Sequence, residues 1–582
     1  MLRKLQLLFL SVSLTAFYGF SQVGLGTVKG TVTDGETKSP LAFCKVMLLQ
    51  GGSIKGGATT DAKGQFQINS VAAGTYDVEV RNDAEGYQPF RQTGVIVSTD
   101  NITFLDDLAI TKAKEAKEMQ EVKIVAYKVP LIDKDGGASG ATVTREDIAR
   151  LPVRSAAGVA QTVGGVNADE GSGAISVRGS RSDATYFFID GIKVRGSSNL
   201  PKSAIEEVSV ITGGVPANYG DVTGGIISVT TRGPSAKYFG SIEAVTSGFR
   251  INGDDPNGYD DKVVGLDKYG YNLIEGMLSG PLWMQKDSTG AKTKPRLGFL
   301  VSANITDEID NRPLAGGSWR IKKDARDALL LNPLRPTSTG QGTFHNALFL
   351  RNIVDADGNP TEDSDFEKVP WRMNAQSTVV SAQAKIDVNT GPTVNLTFGG
   401  SMNYSYGSNY SYGGSLLNFT NFGVYKSLDW RVFGRLTQRF INDQEGSASK
   451  LRSFVYTLMV DYSKSKDDAY DPNHKYNMFN YGHVGTFTTT RIPTYSMFDS
   501  NGDGDVDLKE HDGFKDVEVA FSPSETNAAL AAITTQYYNI YGGDPIGNYE
   551  NLFQIQQGNA LRNGDAPQSV YGIWGNIGTP YN

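Results

Sequence analysis

The chain has 582 residues, more than one ordinary domain holds, so several folded units are expected. Glycine is abundant at 67 residues, Tyr and Phe reach 27 each, and hydrophobic residues make up only 39%. This mix suits many strands and turns and argues against an all-α protein. A net charge of −8 and a pI near 5.3 exclude general affinity for polyanions, so no nucleic-acid partner is expected.

Residues 1–21 read as an export signal. Arg3 and Lys4 precede the apolar run from Leu7 to Phe20, and Gly19 and Ser21 frame a cut before Gln22. An uncleaved anchor is the alternative, but the run is shorter than the ~20 residues a spanning helix needs. No cysteine stands at the cut, which excludes a lipoprotein. Cys44 is the sole cysteine, so there is neither an internal disulfide nor a paired-thiol metal site. Nothing after the signal is apolar for about 18 residues, so any entry into a membrane must be made by strands.

Residues 22–112 alternate short β-runs with turn signals. Val28 to Val32 is followed by Asp34-Gly35, Phe43 to Leu49 by Gly51-Gly52, and Phe66 to Ile68 and Tyr76 to Val80 come after. This spacing predicts a small β-sandwich. The pieces GTVKGTVTD, TTDAKGQFQI and AAGTYDVEV resemble the carboxypeptidase-regulatory-like domain, a binding or spacer module that is not itself a peptidase. Residues 113–130 form a charged linker that runs into EVKIVAY. A strand-prone segment in an exposed tether can add itself to the open sheet edge of a partner. It can equally dock as an ordinary strand on a neighbouring domain.

Mixed α and β character is predicted for residues 131–233. Thr144 to Asp147 looks like a helix capping box ahead of Ile148 and Leu151, and Pro152 stops that helix. Two motifs follow, ISVRGSRSDATYFFIDGI (175–192) and AIEEVSVITGGVPANYGDVTGGIISVTTRG (204–233). They resemble the plug domain of TonB-dependent outer-membrane receptors in the order of Arg-Gly, Asp-Gly, Ile-Glu, Tyr-Gly and Gly-Gly. Gly179, Gly191, Gly213, Gly220, Gly224 and Gly225 would allow positive φ and close packing inside a confining wall.

The resemblance implies that Glu121, Val122, Lys123, Ile124, Val125, Ala126 and Tyr127 are a TonB box, bound by the periplasmic C-terminal domain of TonB. It also implies that Arg178 pairs with barrel carboxylates. A second such arginine is replaced here by Thr212, which puts a two-arginine latch in doubt.

After Pro234, residues 234–582 turn to strict alternation: Val394, Leu396, Phe398, Met402, Tyr404 and Tyr406 alternate with Asn395, Thr397, Ser401, Asn403 and Ser405. Phe454 to Tyr462 and Leu428 to Leu436 repeat it. A lipid-facing barrel requires this period, and a half-buried soluble sheet shares it. The tight turn Asn389 to Pro392 contrasts with long polar stretches at 307–375 and 464–560. Plugged barrels of this kind have about 22 strands, and roughly eight to ten can be counted here. The sequence therefore reads as the N-terminal part of an incomplete barrel, a fragment or a broken frame.

The fold class predicted is mainly β: an N-terminal sandwich, a small α/β plug and an antiparallel transmembrane barrel. The resemblance implies an outer-membrane transporter of a Gram-negative bacterium, energised through TonB, with its N-terminal domain periplasmic. A surface binding lipoprotein is a possible partner, the ligand cannot be read, and a surface adhesion or assembly anchor is the alternative function. No Ser-His-Asp order, HExxH or paired-Cys site suggests an enzyme, and transport itself calls for no cofactor. One metal motif stands out. Asp499, Asn501, Asp503, the Asp505 carbonyl, Asp507 and Glu510 match the twelve-residue calcium loop D-x-[DN]-x-[DN]-G-x5-E, with Gly504 at its turn. An isolated calcium loop stapling a surface loop is expected.

Overall fold

The computed structural model describes residues 25–535 except 51–52, 73, 83–85, 99–101, 113–122, 128–138, 170–173, 195–197, 216–218, 220–221, 236, 287–291, 332–334, 337–343, 346–349, 390–392, 442–452, 529 and 533. The predicted export signal, Glu121, Val122, Gly220 and the centre of the 389–392 turn lie outside the described residues. No helix among them is long and apolar enough to cross a membrane.

The N-terminal unit is the expected sandwich. One sheet joins β1 (Leu25–Asp34) to β4 (Gln65–Ala72) on one side and β7 (Ile102–Ile110) on the other. The second orders β3 (Ser53–Thr59), β2 (Lys45–Gln50), β5 (Gly74–Arg81), β6 (Phe90–Val97) and β8 (Lys123–Ala126). Every second residue of β5 turns inward: Tyr76, Val78 and Val80 join Val28, Leu48, Phe66, Val95 and Leu105 in one buried core. Each such side chain contributes about 1.5–3 kcal/mol when fully buried. Cys44 is buried in this core as a small apolar residue.

The plug begins at β9 (Ser139–Thr144) and α1 (Arg145–Arg150). The helix starts and stops as predicted, but its cap differs. The Thr144 side chain makes no bond to the backbone; its hydroxyl donates to the Asp147 carboxylate at 2.8 Å. The α2 helix (Ala156–Ala160) is capped by Ser155, whose hydroxyl accepts from Gly158 N–H at 3.0 Å. A short hairpin of β10 (Val166–Ala168) and β11 (Ile175–Val177) leads to a five-stranded sheet. Its order is β13 (Ile192–Lys193), β12 (Tyr186–Ile189), β15 (Ile226–Thr231), β14 (Ile205–Gly213), β9. All six residues of β15 are buried, the mark of a strand covered on both faces.

A seven-stranded antiparallel wall follows. It orders β16 (Phe239–Thr246), β19 (Tyr271–Lys286), β20 (Lys292–Glu308), β25 (Ser377–Asn389), β26 (Val394–Ser408), β27 (Val424–Ile441) and β28 (Ser453–Tyr470). The side strands β17 (Gly248–Ile251) with β18 (Lys262–Gly265), β21 (Ser318–Ile321) with β24 (Phe366–Val369), and β22 (Arg335–Pro336) with β23 (Phe344–His345) decorate its connections. So does α3 (Lys323–Leu331). The stretch expected as a long polar loop after residue 464 instead continues β28 and then forms a hairpin, β29 (Gly485–Phe498) with β30 (Leu508–Pro523). Pro493 and the run of threonines in β29 hide the alternation that would have revealed it.

The wall is built inside out. On β27 and β28, Val432, Leu458, Val460 and Tyr462 are exposed, while Arg431, Arg435 and Thr437 are buried. Elsewhere Ile274, Val301, Ile386 and Phe398 face out, and Glu275, Ser302, Gln383, Lys385 and Asn403 face in, against the plug. A soluble sheet does the reverse, because water rewards polar surface. Apolar outside and polar inside is the arrangement of a lipid-facing wall around a polar interior, which decides between the two readings of the alternation.

Candidate coupling and plug-locking site

Three groups of residues fasten the units together. The first is the end of β12. Asp190 takes φ +51, turning its carboxylate back so that it accepts from Thr231 N–H at 3.0 Å and from the Thr231 hydroxyl at 2.6 Å. Lys385 of the wall strand β25 stands 3.2 Å from the same carboxylate and also reaches the Thr231 carbonyl at 3.3 Å. Arg435 of β27 donates to the Asp190 carbonyl. Burial alone would raise the Asp190 carboxyl; the charges of Lys385 and Arg435 and the two Thr231 donors outweigh it and hold the group below the usual carboxylate range. Two plug strands are thereby tied to two wall strands.

The second group joins the N-terminal domain to the plug. Glu207 of β14 is buried, accepting from Ser98 of the sandwich at 3.0 Å and from Thr230 of β15 at 3.1 Å. Burial pushes its carboxyl up to about 7, the two hydroxyls offsetting only part of the cost. Next to it, Glu206 accepts from Thr75 of the sandwich and lies 3.6 Å from Arg232. Lys55 of the sandwich also meets Asp387 of the wall at 3.5 Å.

The third group joins the plug to the first two strands of the wall. Arg154 of the plug pairs with both oxygens of Glu243 on β16, at 2.6 and 2.8 Å, and Ser203 N–H donates to Glu275 at 2.6 Å.

Arg178, expected to reach a barrel carboxylate, makes its contacts among the described residues within the plug. It sits at φ +51, donates to the Ser139 hydroxyl at 2.7 Å, and lies against Gly213 in the plug itself. A side chain at Gly213 would collide with this guanidinium, so that glycine clears space rather than supplying positive φ. Gly179 and Gly191 do take positive φ, whereas a side chain at Gly225 would strike Val177. Plug-to-wall pairing thus runs in both directions: at Asp190 the acid belongs to the plug and the cations to the wall, while at Arg154 a plug arginine other than Arg178 meets the wall carboxylate of Glu243. The Asp-Gly motif marked the position, but nothing local in the sequence linked it to residues 195 and 245 positions away.

Of the predicted coupling segment, Lys123 to Ala126 form β8 and pair in parallel with Phe90 to Thr93 of β6. Tyr127 N–H donates to the Thr93 carbonyl at 2.8 Å and its ring packs on the sandwich core. The segment is a docked edge strand, the second of the two placements the sequence left open. Ile124 and Val125 remain 62% and 40% exposed.

The calcium-loop residues lie at the tip joining β29 to β30. Asp499 accepts from the N–H groups of Asn501, Gly502 and Gly504, Asn501 from Asp503, and Asp503 from Asp505, while Asp507 accepts from Ser500. These amides hold the Asp499 carboxyl below its ordinary value. Glu510 lies on β30 opposite Ser496. Among the described residues no group of three or more His, Cys, Asp or Glu is gathered to hold a metal.

An inverted wall packed on a small α/β domain is the arrangement of a barrel wall with a plug inside it, and two family models match the chain. Residues 27–109 match the carboxypeptidase regulatory-like domain and residues 133–226 match the TonB-dependent receptor plug domain. The chain carries both of these domains. Among curated relatives, the TonB-dependent transporter Oar of Myxococcus xanthus is 26% identical over 236 residues, covering 38% of this chain and 21% of that protein. The vitamin B12 transporter BtuB of Vibrio vulnificus is 30% identical over 142 residues, 22% of this chain and 23% of that one. The match thus spans less than a quarter of each relative's length. Among solved structures, a mutant ferric enterobactin receptor, PfeA, of Pseudomonas aeruginosa aligns at 15% identity with a TM-score of 0.31, over 58% of this chain and 47% of that one. The siderophore receptor PirA of Acinetobacter baumannii aligns at 13% identity and a TM-score of 0.31, over 64% and 48%.

Proposed function

We propose that this protein is an outer-membrane transporter of a Gram-negative bacterium that moves a ligand past its plug with energy delivered by TonB. The observation that carries the reading is the inverted wall: apolar side chains outward, polar and charged ones inward against a plug-family domain. The sandwich, fastened to the plug through Glu207, faces the periplasm. TonB is the partner, through residues 121–127, by strand addition. A surface lipoprotein that hands over ligand would be a second partner, and the chain does no covalent chemistry on its cargo. Ligand binding must shift the exposure of residues 121–127, because only differential affinity can move such an equilibrium.

Proline at Val122 or at Ile124 removes a ladder donor from an added strand. Either variant is expected to abolish energised uptake in cells while leaving the amount of barrel protein in the outer membrane unchanged. Normal uptake by both variants would remove the TonB reading and favour a passive surface anchor.

The tip residues Asp499, Asn501, Asp503, Asp505, Asp507 and Glu510 we propose as a calcium loop that stiffens the β29–β30 hairpin. The run of side-chain-to-amide bonds from Asp499 to Asp505 already curls the first half of the loop. Calcium would draw those carboxylates off the amides and bring in Glu510.

A further inference from the structure

The edge of β6 is covered by the segment that the proposed function assigns to TonB. We propose that the N-terminal sandwich is a sheath for this segment: docking of β8 on β6 and capture by TonB are mutually exclusive, and the sandwich sets how much of the segment is available. The inference rests on the reading of residues 121–127 as the TonB-binding strand.

Four observations carry it. First, Lys123 to Ala126 already use one strand edge in register with Phe90 to Thr93, and the Tyr127 N–H is committed to the Thr93 carbonyl. Strand addition by a partner needs the same kind of backbone groups, in an extended segment free to meet it. Second, the Tyr127 ring lies on the sandwich core, so the C-terminal end of the segment is held by packing as well as by hydrogen bonds.

Third, the hold is short. Only four residues pair, in a parallel ladder at the end of a five-stranded sheet, and Ile124 and Val125 stay largely exposed. A long, fully buried strand could not be released by a partner; a four-residue edge strand can. Fourth, the sandwich is not free to drift away with its strand. Ser98 on Glu207, Thr75 on Glu206 and Lys55 on Asp387 fasten it to plug and wall, so the docked state is built into the resting assembly.

The test uses the full chain in detergent and the periplasmic C-terminal domain of TonB as probe. Gln92 and Val125 are register partners across β6 and β8. In the double variant Gln92→Cys with Val125→Cys, oxidation or a short bis-thiol cross-linker is expected to join the two strands and to lower TonB capture at least tenfold. Reduction should restore capture to the wild-type level, which also shows that the variant is folded. The single-cysteine variants control for the buried Cys44. Failure of the two cysteines to join, or equal capture by the joined and reduced forms, overturns the sheath. The Ile124→Pro variant separates the two ideas. If it captures TonB as well as wild type, the TonB-binding reading fails and the sheath with it. If it loses capture while the joined form keeps it, only the sheath fails.

Discussion

The sandwich and the wall are made from the same alternating code and obey opposite rules. In β5 the residues that turn away from solvent are Tyr76, Val78 and Val80; in β27 and β28 the apolar residues Val432, Leu458 and Val460 are the ones left outside. What differs is the company of the other face. The polar partners in β27 include the buried Arg431 and Arg435, long charged side chains of which Arg435 donates to the Asp190 carbonyl of the plug. Alternation therefore reports that a sheet has two faces, and only the chemistry of the polar face, together with what packs on it, reports which solvent each face meets.

That contrast can be broken most severely from the lipid side. Val432→Arg puts a charge where the wall meets hydrocarbon and is expected to destabilise the barrel by about 2–4 kcal/mol, the cost of Arg near the midplane of an outer-membrane barrel. Urea unfolding from vesicles would read it. A wall that tolerated Val432→Arg as a soluble surface does, within about 0.5 kcal/mol, would mean that this face is not lipid-facing.

The seam between the sandwich and the plug that the wall surrounds offers a pH-dependent effect. Glu207 is raised to about 7 in the assembled protein from an ordinary 4.5. A carboxyl raised on folding contributes stability that is fully present below about 4.5 and lost as pH climbs through about 7, because the ionised form is then buried without a cation. The wild type should therefore hold sandwich to plug more weakly at pH 8 than at pH 5, by an amount on the order of 3 kcal/mol at most. Glu207→Gln should flatten that profile, and protease sensitivity of the 113–130 linker across pH would show it. Equal slopes in the two proteins would contradict a buried, uncompensated Glu207.

The smallest effect concerns the β29–β30 tip, remote from both regions. Calorimetry on the intact protein should show calcium binding at up to millimolar affinity that disappears in Asp499→Ala and in Glu510→Ala, with the sandwich and plug unaffected. Absence of binding in the intact protein would leave this tip as a plain Asp-rich turn.

Much of the architecture could be read from the residues because it is written locally. The turns at Asp34-Gly35, the helix ended by Pro152 and the two-residue period from Val394 to Tyr406 each lie within a short window, and each corresponds to an element of the fold. The site was less legible because its parts are far apart. Asp190 meets Lys385 and Arg435 only once the wall has curved past the plug, and Glu207 meets Ser98 across a domain boundary. Arg178 shows the same limit from the other side: its motif fixed its place, while the partner was decided by its φ of +51 and by the space at Gly213. The hairpin at 485–523 was obscured by a proline and by threonines on both faces, which blur the period without preventing the ladder.

The parallel pairing of β1 with β7 has a consequence for the order in which the chain can fold. Thr27 to Asp34 find their second neighbour only in Ile102 to Ile110, some seventy-five residues later, whereas each central strand of the wall pairs with the next long strand in the sequence. Non-local contacts of this kind are slow to form, because a large loop must close before any contact rewards it. As the polypeptide emerges from its N-terminus, the three-stranded sheet stays open on one side until residue 110 is free. The first stretch beyond it that can form a strand is 123–126. The other seven strands of the sandwich are thus complete before β8 arrives, and the edge of β6 stays bare until residues 123–126 follow.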